Sequence, residues 1–268
     1  PQPLPPRVDS PALTYAPESE SRALSDFHAV LMRKDPPYDV TYHTATLLLE
    51  MARGKTLLIN DPRGLREANE KLFIFHYPEL IAPTVVTHRM DELKAFMAAQ
   101  GGEMIVKPLD GCGGSGVFHV HKGDRNVNAI LESITNDNRR PVMAQRYIPE
   151  VRTGDKRIII IDGKPRGAVL RVPSDEESRS NLHVGGSAAP CEMTPRDLEI
   201  CTKIAPRLRK DGLVFVGIDV IGDYLTEINV TSPTGIQEIN RFDGVRLEAD
   251  IWDAIDRHFL TPFTYYGI

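Results

Sequence analysis

Cysteine is scarce in this chain: three residues in 268, Cys112, Cys191 and Cys201. The number is odd and no CxxC spacing occurs, which fits a reducing, cytoplasmic setting better than a disulfide framework. Long apolar runs are also missing. The longest centres on Ile158 to Ile161, far short of the ~18 residues a membrane span needs. The chain opens on Pro1, with no basic stretch followed by an apolar one, so no signal peptide is visible. Positive charge is not in excess either. The net charge of -5 and pI near 5.9 argue against a nucleic-acid backbone or an anionic membrane as main partner. Any phosphate must be met by locally placed cations. Three enzyme signatures are absent: no GKS or GKT closes a Walker A loop, no helix follows the glycine-rich loop as a dinucleotide fingerprint requires, and no GxSxG occurs.

What is present describes an ordinary folded chain, 41% hydrophobic and 26% charged, long enough to bury a core without staples. Residues 1–17 carry six prolines, too many for a helix or inner strand. The pattern then predicts an apolar stretch Phe27 to Met32, a helix around Ala45 to Arg53 and a strand Thr56 to Asn60, together a βαβ half. Helices follow over about Gly64 to Phe75 and Asp91 to Gln100. Short strands Met104 to Lys107, Val117 to His121 and Val142 to Tyr147, with a helix Val127 to Ile134, make a small α+β unit. Arg157 to Ile161 and Gly167 to Val172 flank Asp162-Gly163-Lys164, a hairpin signal. A polar stretch of about 20 residues after Pro173 exceeds the usual connection length and reads as a working loop. Thr194 caps a helix to Lys210, strands Leu213 to Val220 and Tyr224 to Val230 flank Gly222-Asp223, and Val245 to Phe259 forms the last helix.

Three constellations could carry chemistry. In KPLDGCGGSG, Lys107 to Gly116, a strand ends in a lysine and four glycines follow within six residues. Such a loop can wrap phosphate oxygens with backbone amides while the ammonium neutralises them; the bland alternative is a flexible hairpin tip. Asp219 on one strand, and Glu227 and Asn229 on the next, offer hard oxygen donors suited to Mg²⁺. An outward polar sheet face would account for them too, except that Asp219 and Glu227 sit in otherwise apolar strands where an unpaired carboxylate is costly. Lys156, Arg157, Arg171 and Arg179 flank one hairpin and could hold carboxylates or a phosphoryl group; for Lys156 and Arg171 solvated strand ends remain the simpler reading. His119 and His121 share a strand face but lack a third ligand for zinc, and Cys112 has no histidine arrangement to make it a nucleophile.

Together Lys71 in NEKLF, KPLDGCGGSG, AQRYIP, GDKRIIIIDG and LTEINVTSP resemble an ATP-grasp ligase. The order of LMRKDPPYD, INDPRGLREANEKL, QRYIPEVRTGDKRIIIIDG, ESRSN and GIDVIGDYLTEINVTSPTGIQEI, over about Leu31 to Ile239, resembles the bacterial glutathione synthetase family. The resemblance implies a mixed α/β and α+β ATP-grasp fold of two lobes clasping ATP, preceded by an incomplete Rossmann-like amino-terminal domain. It divides the chain into 1–70, a central lid 71–145 and a carboxy-terminal part 146–268. It implies ATP-dependent joining of γ-glutamylcysteine to glycine through an acyl phosphate, in a homo-oligomer (dimer or tetramer). By position, Lys71 and Lys107 with Gly111, Gly113 and Gly114 meet the nucleotide phosphates. Gln145, Arg146, Tyr147 and Ile148 form the adenine hinge, and Asp155 meets the ribose or orders the turn. Asp219, Glu227 and Asn229 hold Mg²⁺ or Mn²⁺, and Arg157 and Lys107 serve catalysis. Arg33, Arg157, Arg179 and Asn181 clamp the peptide, with Thr231 and Ser232 near glycine. The family's further glycine and arginine after Asn181 are replaced here by HVGGSAAP. Another carboxylate–amine ligase, or a MgATP-binding module without ligation, stays open on the same residues.

Overall fold

A computed structural model describes residues 20–174 and 186–260. Its first unit is the parallel pair β1 (Ala29–Leu31) and β2 (Leu57–Ile59), joined through α1 (Val40–Glu50), the βαβ half that the sequence predicts. The helix begins five residues earlier than the apolar pattern suggests, because the Asp39 side chain accepts from the Tyr42 amide at 2.7 Å and caps it there.

The helix expected over 64–75 is broken in two. α2 (Pro62–Glu67) is followed by a 3₁₀ turn at Phe73–His76. Between them Asn69 Oδ1 accepts from the amides of Lys71 and Leu72, both at 3.0 Å, a local bond that competes with helix continuation. The break puts Lys71 on a turn rather than on a helix face.

A four-stranded antiparallel sheet comes next. β3 (Thr84–Thr87), α3 (Met90–Ala99), β4 (Glu103–Pro108), β5 (Phe118–His121), α4 (Val127–Thr135) and β6 (Val142–Arg146) give the strand order β3-β6-β4-β5. Leu93, Met104, Val106, Val120 and Leu131 close a core between this sheet and its two helices.

The second sheet is larger, built from β7 (Asp155–Ile161), β8 (Lys164–Val172), β9 (Ser187–Pro190), β10 (Phe215–Ile221) and β11 (Tyr224–Asn229) in the order β11-β10-β7-β8-β9. Asp162 and Gly163, at φ +54° and +70°, turn β7 into β8 as the hairpin signal requires. Successive strand residues face opposite sides, so Ile158 and Ile160 enter the core shared with α5 (Pro195–Lys210). Ile159 and Ile161 enter the one shared with α6 (Ile236–Asp243) and α7 (Leu247–Leu260). Both faces of the sheet are therefore covered at this end, which accounts for an unbroken isoleucine run.

Two further elements depart from the sequence reading. Ser187–Pro190, taken as part of a long polar loop, is an edge strand paired with Val169 to Val172. The eight residues of α6 precede a last helix that starts at Leu247. Among the described residues no helix is long and apolar enough to cross a membrane.

Asn60 ties the first unit to the large sheet. Its side chain donates to the carbonyls of Phe215 at 2.8 Å and Val230 at 2.9 Å, and accepts from the Phe215 amide at 2.8 Å. Asn60→Ala leaves these buried backbone groups unpaired and should lower the unfolding free energy by about 2–4 kcal/mol. Urea denaturation of the two proteins checks this; a change below about 0.5 kcal/mol contradicts it.

Candidate active site

The two sheets face each other across a cleft of about 910 Å³ including its open mouth. Strand register builds one wall. Glu227 lies opposite Asp219, and Asp219 opposite Arg157, so the three share a face of the large sheet with Asn229 and Asp155, each two residues along its strand. Arg171 is the cross-strand partner of Asp155. Gly217 makes the row possible: a Cβ there would meet Arg157 Cδ at 3.0 Å and Pro233 Cβ at 2.9 Å.

Charges on this wall are paired and nearly dry. The Arg157 guanidinium grips Asp219 with Nε and Nη2 at 2.5 and 2.9 Å, the bidentate geometry that favours arginine. Arg171 Nη2 reaches Asp155 Oδ2 at 2.5 Å and Asp219 Oδ2 at 3.0 Å. Asn229 Nδ2 also donates to Asp219, at 3.3 Å. Asp155, Arg157, Arg171 and Asp219 are all under 9% exposed. Arg171 is thus not the solvated strand end that its position suggested. Nor is Lys156, whose ammonium pairs with the fully buried Asp197. The two have different causes: α5 brings Asp197 over Lys156, and strands β7 and β10 bring Asp155 and Asp219 to Arg171.

Two lysines arrive from different elements. Lys107, at the end of β4, places Nζ 3.2 Å from Glu227 Oε1. Lys71, on the turn made by Asn69, places Nζ 3.7 Å from the same oxygen, and donates to Glu70 Oε1 and to the Gly111 carbonyl, both at 2.6 Å. Gly111 opens the glycine-rich loop, and a Cβ there would meet Pro108 Cγ at 2.8 Å and the Ser115 carbonyl at 2.9 Å. Gly113 and Gly114 also line the cleft, with Cys112 and Ser115.

Across the mouth, Gln145, Arg146, Tyr147 and Ile148 line the cleft together with the apolar Ile105, Val117, Val151 and Ile221. Tyr147 stacks on His119, centroids 4.0 Å apart, and His119 Nε2 is 3.0 Å from Glu103. A mostly apolar lining edged by polar groups suits a planar heterocycle.

Burial alone would raise the pKa of Asp219, but Arg157 and Arg171 outweigh it and hold the carboxyl well below the usual range. Burial pushes Glu227 the same way, and Lys71 and Lys107 pull it below its ordinary value. Glu70 ends above its ordinary value, through burial and the nearby Glu227. For Lys71, burial favours the neutral amine, yet Glu227 and Glu70 keep the ammonium above its usual value.

Arg33 meets the segment after β11, whose Thr234 carbonyl accepts from Arg157 Nη1 at 3.3 Å. It donates to the Pro233 carbonyl at 3.0 Å and lies over the Phe215 ring, 5.0 Å from its centroid. Ser232 Oγ donates to Asp35 at 3.1 Å, and Thr231 is buried beside it. Arg179 and Asn181 lie outside the described residues. Sequence reasoning missed Glu70 and discounted Arg171. A carboxylate adjacent to the invoked lysine was the only available signal for the first; for the second there was none without the strand register.

Two α+β lobes with a cleft between them, lysines from both sides and a carboxylate wall define an ATP-grasp ligase, ATP-dependent by class. D-cycloserine synthetase DcsG shares the fold, with a TM-score of 0.66 at 17% identity over 90% of this chain and 87% of that one. Sequence models sharpen the assignment: the prokaryotic glutathione synthetase N-terminal domain matches residues 7–66, and the ATP-grasp domain of the same family matches 70–244. The chain belongs to the prokaryotic glutathione synthetase family. It is 50% identical to glutathione synthetase of Brucella melitensis over 239 residues, 89% of this chain and 76% of that protein. It is 49% identical to that of Synechocystis over 243 residues, 90% and 76%.

The depressed carboxyl of Asp219 fixes the sign of a pH effect. In the unfolded chain it protonates near its ordinary 3.8, so acid favours unfolding there, and its stabilising share, full above that value, is lost as pH falls toward the lower folded value. Asp219→Asn should cost about 3–5 kcal/mol at pH 6 by leaving two buried guanidinium groups undercompensated. The gap should narrow below pH 3.8 in urea unfolding at stepped pH; a gap constant to pH 2.5 contradicts the pairing.

Proposed function

We propose that this chain joins γ-glutamylcysteine to glycine, with ATP converted to ADP and phosphate. The observation that carries the reading is the meeting of Lys71 and Lys107, from separate elements, on Glu227, beside a wall of matched carboxylates in the cleft that the glycine-rich loop borders. A carboxylate is a poor electrophile until its oxygen becomes a good leaving group. The cysteinyl carboxylate oxygen of the dipeptide attacks the γ-phosphorus of ATP, and the bond to the ADP oxygen breaks. The glycine amine then attacks the acyl carbon, phosphate leaves with the C–O bonding electrons, and the amine loses a proton. Phosphoryl transfer asks chiefly for positioning and charge neutralisation.

In this reading Lys71 and Lys107, with the amides of the glycine-rich loop, bind the phosphates, and the segment from Gln145 to Ile148 holds adenine, with Asp155 toward the ribose. Asp219, Glu227 and Asn229 offer hard oxygens of the kind Mg²⁺ or Mn²⁺ takes, and a cation there would compete with Arg157 and Arg171 for Asp219 and with the two lysines for Glu227. A cation held there supplies neutralisation of the phosphate oxygens. Arg157, already over Asp219, is poised beside the place where negative charge develops on the acyl phosphate and tetrahedral adduct. Arg33 and the Thr231-Ser232 segment, joined through Pro233 and Asp35, border the side on which peptide and glycine enter. Closure of the cleft protects the acyl phosphate from water.

ADP release by the wild-type protein should require both γ-glutamylcysteine and glycine within a panel of acceptor acids and amines. The double substitution Glu227→Gln with Asn229→Ala should reduce it more than about 100-fold. Unchanged turnover in the variant removes the metal assignment, and equal turnover with an unrelated acid and amine removes the substrate assignment.

A further inference from the structure

Glu70 stands behind Lys71, its carboxylate turned to the Lys71 ammonium. Its carboxylate accepts from Lys71 Nζ at 2.6 Å, while Gly111 O, at the same distance, receives a second bond from that ammonium. The backbone is fixed as well: the Ile228 amide, between Glu227 and Asn229, donates to the Glu70 carbonyl at 2.9 Å. On the preceding residue, Asn69 Nδ2 donates to the Leu109 carbonyl at 3.3 Å. Asn69, Glu70 and Lys71 therefore tie the start of the glycine-rich loop to the strand that carries Glu227. Glu70 does not itself line the cleft.

An ammonium on a four-carbon stem is a mobile point charge. At 3% exposure Lys71 needs partners that survive nucleotide binding, and Glu227 is the one that binding would draw away. We propose that Glu70 is a positioning residue for ATP: it holds the Lys71 ammonium against the glycine-rich loop, so that the charge is in place for the phosphates when Glu227 turns to other partners. The inference rests on the ligase reading for its use, but concerns the nucleotide alone.

Its test measures binding of a non-hydrolysable MgATP analogue by calorimetry, and the three KM values, in the full chain. Glu70→Ala should weaken analogue binding and raise KM for ATP by about tenfold or more, in the range by which supporting partners of a binding group act. KM for γ-glutamylcysteine and glycine should stay within about twofold. Glu70→Gln, whose amide oxygen still accepts from Nζ, should recover most of the affinity, and Glu70→Leu, which fills the space but offers no acceptor, should show the alanine loss if the alanine variant folds poorly. In a Lys71→Met background, Glu70→Gln or Glu70→Ala should add no further loss, because the effect runs through the missing ammonium. Analogue affinity within twofold of wild type in Glu70→Ala, equal rises in all three KM values, or losses that simply add to those of Lys71→Met would each overturn the proposal. A wrong acceptor assignment would instead show as absent turnover in the wild-type protein with analogue binding intact.

Discussion

Everything in the cleft depends on a charge balance struck away from bulk water. Lys71, Lys107, Arg157 and Arg171 face Glu70, Asp155, Asp219 and Glu227, four cations against four carboxylates, joined at distances between 2.5 and 3.7 Å. Removing one member leaves a buried charge uncompensated, which is far costlier than losing a surface pair. A balanced set can also be repartnered. Two ammonium groups resting on one carboxylate are available to an incoming anion, provided that the carboxylate has somewhere else to go.

The fold serves that balance by register. Antiparallel pairing sets Glu227, Asp219 and Arg157 in one row, and the period of two in each strand brings Asn229 and Asp155 to the same face. The other side of those strands carries Ile158, Ile160, Ile218 and Ile228 into a closed core, so a slip of one residue would bury the charges in hydrocarbon. The small sheet contributes Lys107 from a strand end, and the interrupted helix after α2 contributes Lys71 from a turn. Rigid strands hold the acidic wall, and short connections hold the groups that approach it.

Much of this was legible in the sequence because it is encoded locally. The isoleucine run, Asp162-Gly163 and the Thr194 cap each specify an element through neighbours a few residues away. Lys107 with four close glycines, and carboxylates inside apolar strands, pointed to chemistry because an unpaired carboxylate is costly to bury, although a hairpin tip and a polar sheet face were the plainer alternatives. What stayed hidden depends on distant partners. Arg171 looks like a solvated strand end until Asp155 and Asp219 are found opposite it, 16 and 48 residues away in the chain. Ser187–Pro190 is too short and too small-sided to show a strand pattern; its identity comes from the edge of β8. The helix boundary at Glu67 was set by one side chain, Asn69, whose bonds to the following amides outweigh an otherwise helical stretch.

In the ligase reading, Glu227 and the nucleotide phosphates draw on the same two lysines. Calorimetry of a non-hydrolysable ATP analogue with wild type and Glu227→Gln, each with and without Mg²⁺, tests it most directly. Without the metal, Glu227→Gln should bind the analogue more tightly than wild type, since the competing and repelling carboxylate is gone. With Mg²⁺ the order should reverse, because a donor to the cation has been lost. If Glu227→Gln binds as wild type does under both conditions, or is weaker under both by the same factor, Glu227 does not stand between the lysines and the phosphates.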